Sequence, residues 1–363
     1  MTKGAATRRL TAVLGDAPRI LLVRTDRMGD LILSTPAIRA VRAAYPRGYL
    51  ALLVQPANRA LVEGHPALDE VILFDKEKAH RGWKGAMQLA WLLRSRRFDL
   101  AVLLHTTTRV VLLTWLAGIR YRVGFARRLG VLLTHGLPYQ KRQGTQHEVD
   151  YTLDLVRAVG IPADDRTLAI AWQAAGEESV RAWLARQGIA PGDPLFLFHP
   201  GASCPSKRWP AERFAAVADQ LWARFPAGRW VVIVGPGEEP WGRAVVLRSR
   251  APLILSDPPL TLAELPWLLK RASCLVSNDS GPVHVASAVG TPSVVVFGRW
   301  GGGLSPTRWG PTHPRSIVLH RDVGCRPCLA HRCKIGFACL EAVLADEVAA
   351  AVERLVSSQG KAV

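Results

Sequence analysis

Residues 19–46, RILLVRTDRMGDLILSTPAIRAVRAAYP, decide the fold class. Residues 20–23 are wholly apolar and predict a short buried strand. A polar turn containing a glycine follows at residues 24–30, and residues 31–44 then have helical spacing of apolar positions up to Tyr45-Pro46. A wholly apolar strand, a turn and a helix in succession are typical of a parallel sheet covered by helices on both faces.

The same unit recurs along the chain and restarts after residue 190. Further strands are predicted at residues 50–54, 71–74, 100–104, 195–198, 230–234, 253–255, 274–277 and 293–297. We therefore predict an α/β protein of two Rossmann-like, doubly wound domains facing each other across a cleft. We place the N-terminal domain at residues 1–175, the C-terminal domain at 176–340, and a C-terminal helix and tail at 341–363.

Composition and charge restrict the class of protein. The chain has 363 residues, 49% hydrophobic and 21% charged, as in folded globular proteins. Its net charge of +18 implies an anionic partner, and residues 81–142 alone hold twelve Lys or Arg against one acid, Asp99. This basic segment favours an anionic ligand or lipid headgroups, with a merely solvated face as the alternative. No run predicts a signal peptide or a membrane span, so we expect a cytoplasmic protein, peripheral on the inner membrane.

Three loops at predicted strand ends hold the residues best suited to chemistry: RTDRMGD at 24–30, HPGASCPSKRWP at 199–210 and SNDSGPVH at 277–284. Ligands of open α/β sheets bind at the carboxyl ends of the strands. Asp30 is a candidate base there, with a plain first-turn acid as the alternative. Lys207 and the Asp279-Ser280-Gly281 turn suit a diphosphate. The glycine patterns of nicotinamide enzymes and of P-loop nucleotide hydrolases are absent, which excludes both classes.

Taken in order, the motifs R-x-D-R-M-G-D-x-x-x-x-T-P, H-P-G-A-S-x-x-S-K-R-W-P and N-D-S-G-P-x-H resemble the ADP-heptose:lipopolysaccharide heptosyltransferases, glycosyltransferase family 9. The likeness runs from about residue 19 to 356. It implies a GT-B fold and an inverting, metal-independent enzyme without a cofactor. Such an enzyme transfers heptose from ADP-heptose to the lipopolysaccharide inner core. Another nucleotide sugar as donor, or another glycan or a protein as acceptor, stays open as the alternative.

The resemblance also implies roles for individual residues. Asp30 matches the general base, and Lys207 matches a catalytic lysine that contacts the donor diphosphate. The donor-binding set is Ser203, Lys207, Glu239, Asp279, Ser280 and Gly281. Glu239 stands where a ribose-contacting acid is expected, and the adjacent Glu238 stays open as the alternative. Residues 299–304 depart from the family pattern, so contacts to the donor base are not assigned there.

The basic segment and the cysteines complete the predictions. Since the resemblance puts the nucleotide in the C-terminal half, we assign the anionic acceptor to four arginines of the other half: Arg120, Arg122, Arg127 and Arg128. Nucleic acid is excluded as a partner because the segment lacks interleaved aromatic residues and a recognised binding module. Four cysteines, Cys325, Cys328, Cys333 and Cys339, have a spacing that suits a zinc or iron tetrathiolate, with a reduced, metal-free loop as the favoured alternative.

Overall fold

The computed structural model describes residues 10, 11 and 13–357, so residues 1–9 of the predicted first domain and residues 358–363 of the predicted tail lie outside the described residues. The chain forms two compact units. One runs up to Arg142 and includes Gln146–Ala171, and the other comprises Gln143–Thr145 and the chain from Trp172 onward. Among the described helices, none is long and apolar enough to cross a membrane.

The first unit is a six-stranded parallel sheet in the order β3-β2-β1-β4-β5-β6. Its strands are β1 Arg19–Val23, β2 Tyr49–Val54, β3 Glu70–Leu73, β4 Leu100–Leu103, β5 Tyr121–Ala126 and β6 His135–Pro138. Its helices are α1 Met28–Ile32, α2 Thr35–Ala44, α3 Gly82–Ser95, α4 Thr108–Leu116 and α5 Glu148–Arg157. Strand order reverses at β1, which pairs with both β2 and β4. The loop after β1 therefore lies at the switch point where doubly wound sheets bind ligands.

Successive side chains of β1 point to opposite faces of the sheet, so the core of the first unit has one part on each face. Leu21 and Val23 pack with Leu89 and Leu93 of α3 and Val111 of α4, so these two helices cover one face together. Helices α2 and α5 contact each other. The single helix predicted over residues 31–44 is in fact two, because a turn separates α1 from α2 and Pro36 occupies the first turn of α2.

The second unit repeats the design with the order β12-β11-β10-β7-β8-β9. Its strands are β7 Leu195–His199, β8 Arg229–Val232, β9 Leu253–Leu255, β10 Cys274–Asn278, β11 Ser293–Phe297 and β12 Ser316–His320. Its helices are α6 Ala174–Arg186, α7 Ala211–Arg224, α8 Glu239–Val246, α9 Leu265–Arg271, α10 Gly281–Val289, α11 Pro306–Trp309, α12 Ala338–Glu341 and α13 Ala345–Ser357. Ser277 of β10 is in register with His199 of β7, which brings the second and third motif loops to one sheet edge.

Aromatic side chains fill the core of the second unit. Phe196 and Trp230 stack with ring centroids 4.4 Å apart, and Trp209 packs edge-on against Phe214. Helix α13 contributes Val352 and its neighbours to the same core. Three strands, β5, β6 and β12, had no clear signal in the sequence. They lie at or next to sheet edges and are only partly buried, so their sequences mix polar with apolar residues.

Candidate functional site

Arg24 is the centre of a charge cluster at the carboxyl end of β1, and it is 2% exposed. Its Nη2 donates to Asp30 Oδ1 at 2.7 Å, and its Nε donates to Asp26 Oδ1 at 2.8 Å. Both Nη1 and Nη2 donate to Glu148 Oε1 at 3.2 Å. A guanidinium has five donors in a rigid fork, so one arginine holds three carboxylates in defined positions.

Lys141 and Glu148 extend the cluster. Glu148 begins α5 and is 1% exposed, and Lys141 Nζ donates to its Oε1 at 2.6 Å. His105 follows β4, and burial together with the charge of Arg24 lowers its pKa to about 4. The imidazole is therefore neutral at pH 7. The three carboxylates repel one another, and this repulsion favours uptake of a proton, although the nearby cations oppose it.

Asp30 has the properties of a general base. Burial and the negative charges of Asp26 and Glu148 raise its pKa to about 6, although Arg24 opposes the shift. A carboxylate with a pKa near 6 is ionised at pH 7 and is still basic enough to accept a proton in a transition state. Its backbone is also held, since Ser34 Oγ donates to the carbonyl oxygen of Asp30 at 2.8 Å. Asp30 thus lies in a charge cluster that suits the predicted role, which stays a prediction.

Asp279 is the corresponding anchor in the second unit. Lys207 Nζ lies 3.0 Å and Arg299 Nη2 lies 2.9 Å from the same Asp279 Oδ2. Asp279 and Arg299 are buried, and burial lowers the pKa of Lys207 against the opposing charge of Asp279. Two cations that share one carboxylate leave a net positive charge in a nearly dry site. Such a site is suited to the phosphates of a nucleotide.

His199, at the end of β7, connects the two motif loops of this unit. Its Nδ1 lies 3.0 Å from Ser280 Oγ, and its Nε2 lies 3.0 Å from Glu238 Oε2. Ser280 therefore makes no side-chain capping bond to α10. Pro282 has no N–H and the Val283 amide donates to the Ser280 carbonyl oxygen at 3.2 Å, so among these three positions the Gly281 amide is the donor that the start of α10 can offer an anion, which the helix dipole also favours.

The two adjacent glutamates have different surroundings. Glu238 accepts a hydrogen bond from the Gly235 amide at 2.9 Å. Burial alone would raise the pKa of Glu238, but His199 and the Gly235 amide hold it below its usual range. A Cβ on Gly201 would lie 2.2 Å from the Glu238 carboxylate, so only glycine allows this approach. Glu239 is half-buried at the first position of α8. Its contact with the ribose stays a prediction, and Glu238 stays the alternative.

The four arginines assigned to the acceptor do not form one group. Arg122 is half-buried, and its guanidinium donates to the carbonyl oxygen of Leu132 at 2.7 Å, so it supports the connection between β5 and β6. Arg120, Arg127 and Arg128 are exposed. Their guanidinium groups stay in contact with solvent and are free to meet an anionic glycan, whereas Arg122 has a structural use. Ser203 is likewise exposed, in the loop that carries Lys207.

The four clustered cysteines, Cys325, Cys328, Cys333 and Cys339, line one cavity of about 170 Å³. All are free thiols, and within residues 13–357 no three His, Cys, Asp or Glu side chains have a metal-binding arrangement. The backbone amide of Phe337 donates to Cys333 Sγ at 3.3 Å. The prediction that the functional site contains no metal stays a prediction.

Several residues of these clusters were not assigned a role from the sequence. Arg24 and His199 each mark the end of an apolar strand, which is a local signal that could have found them. Glu148 had no such signal, because its partner Arg24 is 124 positions away in the chain, and Lys141 joins the cluster through Glu148. Arg299 lies in the segment that departs from the family pattern, so the resemblance implied no role for it.

Comparisons with known proteins agree with this geometry. A family model described as glycosyltransferase family 9 (heptosyltransferase) matches residues 86–338. Lipopolysaccharide heptosyltransferase 1 of Pseudomonas aeruginosa is 26% identical over 330 residues, 87% of each chain. The crystal structure of a family 9 glycosyl transferase from Veillonella parvula has a TM-score of 0.83 at 25% identity, covering 94% of this chain and 98% of that one. E. coli ADP-heptose lps heptosyltransferase II has the same fold, with a TM-score of 0.76 at 20% identity over 94% and 100% of the chains. The predicted fold class is confirmed.

Proposed function

Because the chain belongs to glycosyltransferase family 9, we propose that it transfers heptose from ADP-heptose to the inner core of lipopolysaccharide, with inversion at the anomeric carbon. The relative from P. aeruginosa is named as a lipopolysaccharide heptosyltransferase, which supports heptose as the transferred sugar and lipopolysaccharide as the acceptor. The observation that carries the proposal is the half-buried Asp30 carboxylate on Arg24, with a pKa raised to about 6. Asp30 lies before the matched residues, so its role rests on the geometry of the first unit.

The first half of the reaction concerns the acceptor. Asp30 takes the proton of an acceptor hydroxyl while that oxygen attacks the anomeric carbon of the heptose. The new carbon–oxygen bond forms on the face opposite the departing diphosphate, so the configuration inverts and one base is sufficient. General base catalysis of this kind contributes roughly 10²–10⁴-fold. Arg24 keeps the carboxylate oriented, since its Nη2 holds one oxygen at 2.7 Å and leaves the other for the proton.

The second half concerns the leaving group. As the bond from the anomeric carbon to the phosphate oxygen breaks, negative charge grows on ADP. Lys207, Arg299 and the Gly281 amide supply positive charge at the predicted donor site, and Asp279 fixes the two cations. Groups that are already oriented stabilise developing charge without reorganisation.

The acceptor is expected to meet the exposed arginines of the basic segment. We propose that Arg120, Arg127 and Arg128, whose side chains are exposed, contact anionic groups of the lipopolysaccharide core. We further propose that the enzyme works at the cytoplasmic face of the inner membrane, where such an acceptor is presented on a lipid.

The decisive experiment is transfer by Asp30→Asn. With ADP-heptose and inner-core acceptor, ADP release should fall at least about 100-fold, while ADP affinity stays nearly unchanged. Asp165→Asn is the matched control, because that carboxylate is an exposed partner of Arg39 in the same unit. Retention of more than about a tenth of the turnover by Asp30→Asn would show that another group is the base. A screen of other nucleotide sugars tests the proposed donor. If the enzyme consumed one of them and left ADP-heptose intact, the assignment of ADP-heptose as the donor would be overturned.

A further inference from the structure

Helix α3 exposes large apolar side chains on its outer face. Trp83, Met87 and Trp91 recur every four residues, and they are 74%, 44% and 72% exposed. The opposite face of the helix buries Leu89 and Leu93 in the core of the first unit. The three outer residues therefore lie along one stripe directed away from the sheet, and the core does not need them.

The apolar surface continues onto neighbouring elements. Helix α4 packs beside α3 and exposes Leu112 and Trp115, one turn apart. The short helical turn Gly130–Leu132 contacts α4, and Val131 within it is 88% exposed, next to an exposed Leu129. Seven of the sixteen large apolar residues that are exposed in the described part of the chain thus lie between residues 83 and 131. We call these seven the tryptophan surface: Trp83, Met87, Trp91, Leu112, Trp115, Leu129 and Val131.

Exposed cations accompany this surface. Seven lie between residues 81 and 128: Arg81, Lys84, Arg94, Arg97, Arg120, Arg127 and Arg128. The one acid of the basic segment, Asp99, accepts a hydrogen bond from the Arg19 amide at 2.8 Å, so it serves the start of β1. The positive charge of the segment is therefore not balanced by acids of its own. An apolar, Trp-rich face with an uncompensated cationic border is complementary to an anionic lipid interface.

We propose that the tryptophan surface docks the protein onto a bilayer that contains anionic phospholipid. Indole rings prefer the boundary between headgroups and acyl chains, and Met, Leu and Val add apolar area there. The lysine and arginine side chains extend to the phosphates. The inference deepens the proposed function, because it places the first unit, which contains Asp30, on the membrane where a lipid-linked acceptor is found.

Two other occupants of the surface are outcomes of the test. Three tryptophans of the basic segment are exposed. The prediction that this segment lacks interleaved aromatic residues, one of the two reasons against nucleic acid, is therefore wrong. The aliphatic residues among them still favour lipid, because bases stack on aromatic rings and not on Met, Leu or Val. A second copy of the chain is the other alternative, since apolar patches also mark protein interfaces.

The test is co-sedimentation of the full chain with vesicles of phosphatidylcholine and phosphatidylglycerol at 7:3. Trp83→Ala/Trp91→Ala should lower vesicle affinity at least about tenfold. Trp222→Ala is the matched control, an exposed tryptophan of α7 in the second unit, and it should bind as the wild type does. Thermal unfolding of the double variant should be unchanged, because both rings are mostly in solvent. Vesicle binding by the double variant should depend mainly on charge, because the two tryptophans are gone. Raising the salt concentration should therefore weaken binding of the double variant more than binding of the wild type.

Turnover with a soluble, lipid-free acceptor separates this proposal from the proposed function. The double variant should keep wild-type turnover there and lose activity only on acceptor presented in vesicles. Equal vesicle binding by the double variant and the wild type would overturn the inference, as would absence of wild-type binding. Loss of a dimer in sedimentation equilibrium, or of DNA binding, with vesicle binding unaffected, would assign the surface to a second copy or to nucleic acid instead.

Discussion

The pH dependence of transfer gives the sharpest test of the Asp30 site. Only the ionised carboxylate accepts a proton, and burial with the neighbouring carboxylates raises the pKa of Asp30 to about 6. Activity should therefore rise through pH 6 and level off above it. For a single group with that pKa, the wild type should retain only about a tenth of its plateau activity at pH 5.

Glu148→Gln should move the rising part of this pH profile, its acidic limb, to lower pH. Asp30 and Glu148 oxygens lie 2.7 Å and 3.2 Å from the same Arg24 nitrogen, Nη2. The two oxygens are thus at most about 6 Å apart, which at an effective dielectric constant near 20 corresponds to about 3 kcal/mol of repulsion, or about two pH units. Removal of the Glu148 charge lowers the pKa of Asp30, so the limb should shift down by about one to two pH units. The variant should then keep at least about half of its plateau activity at pH 5.

The assay is kcat/KM for the acceptor between pH 4.5 and 8 at saturating donor, with each profile normalised to its own plateau. Normalisation matters because Glu148→Gln also removes a partner of Arg24 and Lys141 and should lower stability. Circular dichroism at each pH shows that the variant is folded. Glu63→Gln, which changes an exposed glutamate paired with Arg59, should leave the limb in place. An acidic limb at the same pH in Glu148→Gln and the wild type would refute the reasoning.

Three further outcomes test the second unit. Lys207→Ala should weaken ADP affinity and turnover by about 10–100-fold, because a charged hydrogen bond to phosphate is lost, whereas Lys270→Ala, at an exposed lysine, should change neither. Addition of Mg²⁺ or of EDTA should change turnover little, and strict dependence on a divalent ion would contradict the role given to Lys207. Gly176→Ala should lower the free energy of unfolding by about 1–3 kcal/mol, because a Cβ there would lie 2.1 Å from the Ala263 carbonyl oxygen. Gly192→Ala has open space and should show no such loss in urea unfolding; equal midpoints for the two variants would argue against the close approach.

The donor loops show how far local sequence reasoning extends. His199, Lys207 and Asp279 were all within motifs quoted from the sequence, because polar residues directly after apolar strands mark the ligand edge of a parallel sheet. The sequence did not show that Lys207 and Arg299 share one oxygen of Asp279, since that depends on how β7, β10 and β11 lie side by side. The sequence also did not distinguish Glu238, which contacts His199 and the Gly235 amide, from Glu239, which begins α8.

The sequence by itself determined the fold class, because hydrophobic period and turn chemistry are properties of neighbouring residues. It also determined which loops follow the core strands. Only the tertiary structure joined Arg24 to Glu148, 124 positions apart, and buried these two side chains beside Asp30. It also separated exposed Trp83 and Trp91 from buried Trp209 and Trp230, although all four are the same residue type. The physical reason is that desolvation and charge–charge energies depend on distances in space, which packing sets and local sequence does not encode.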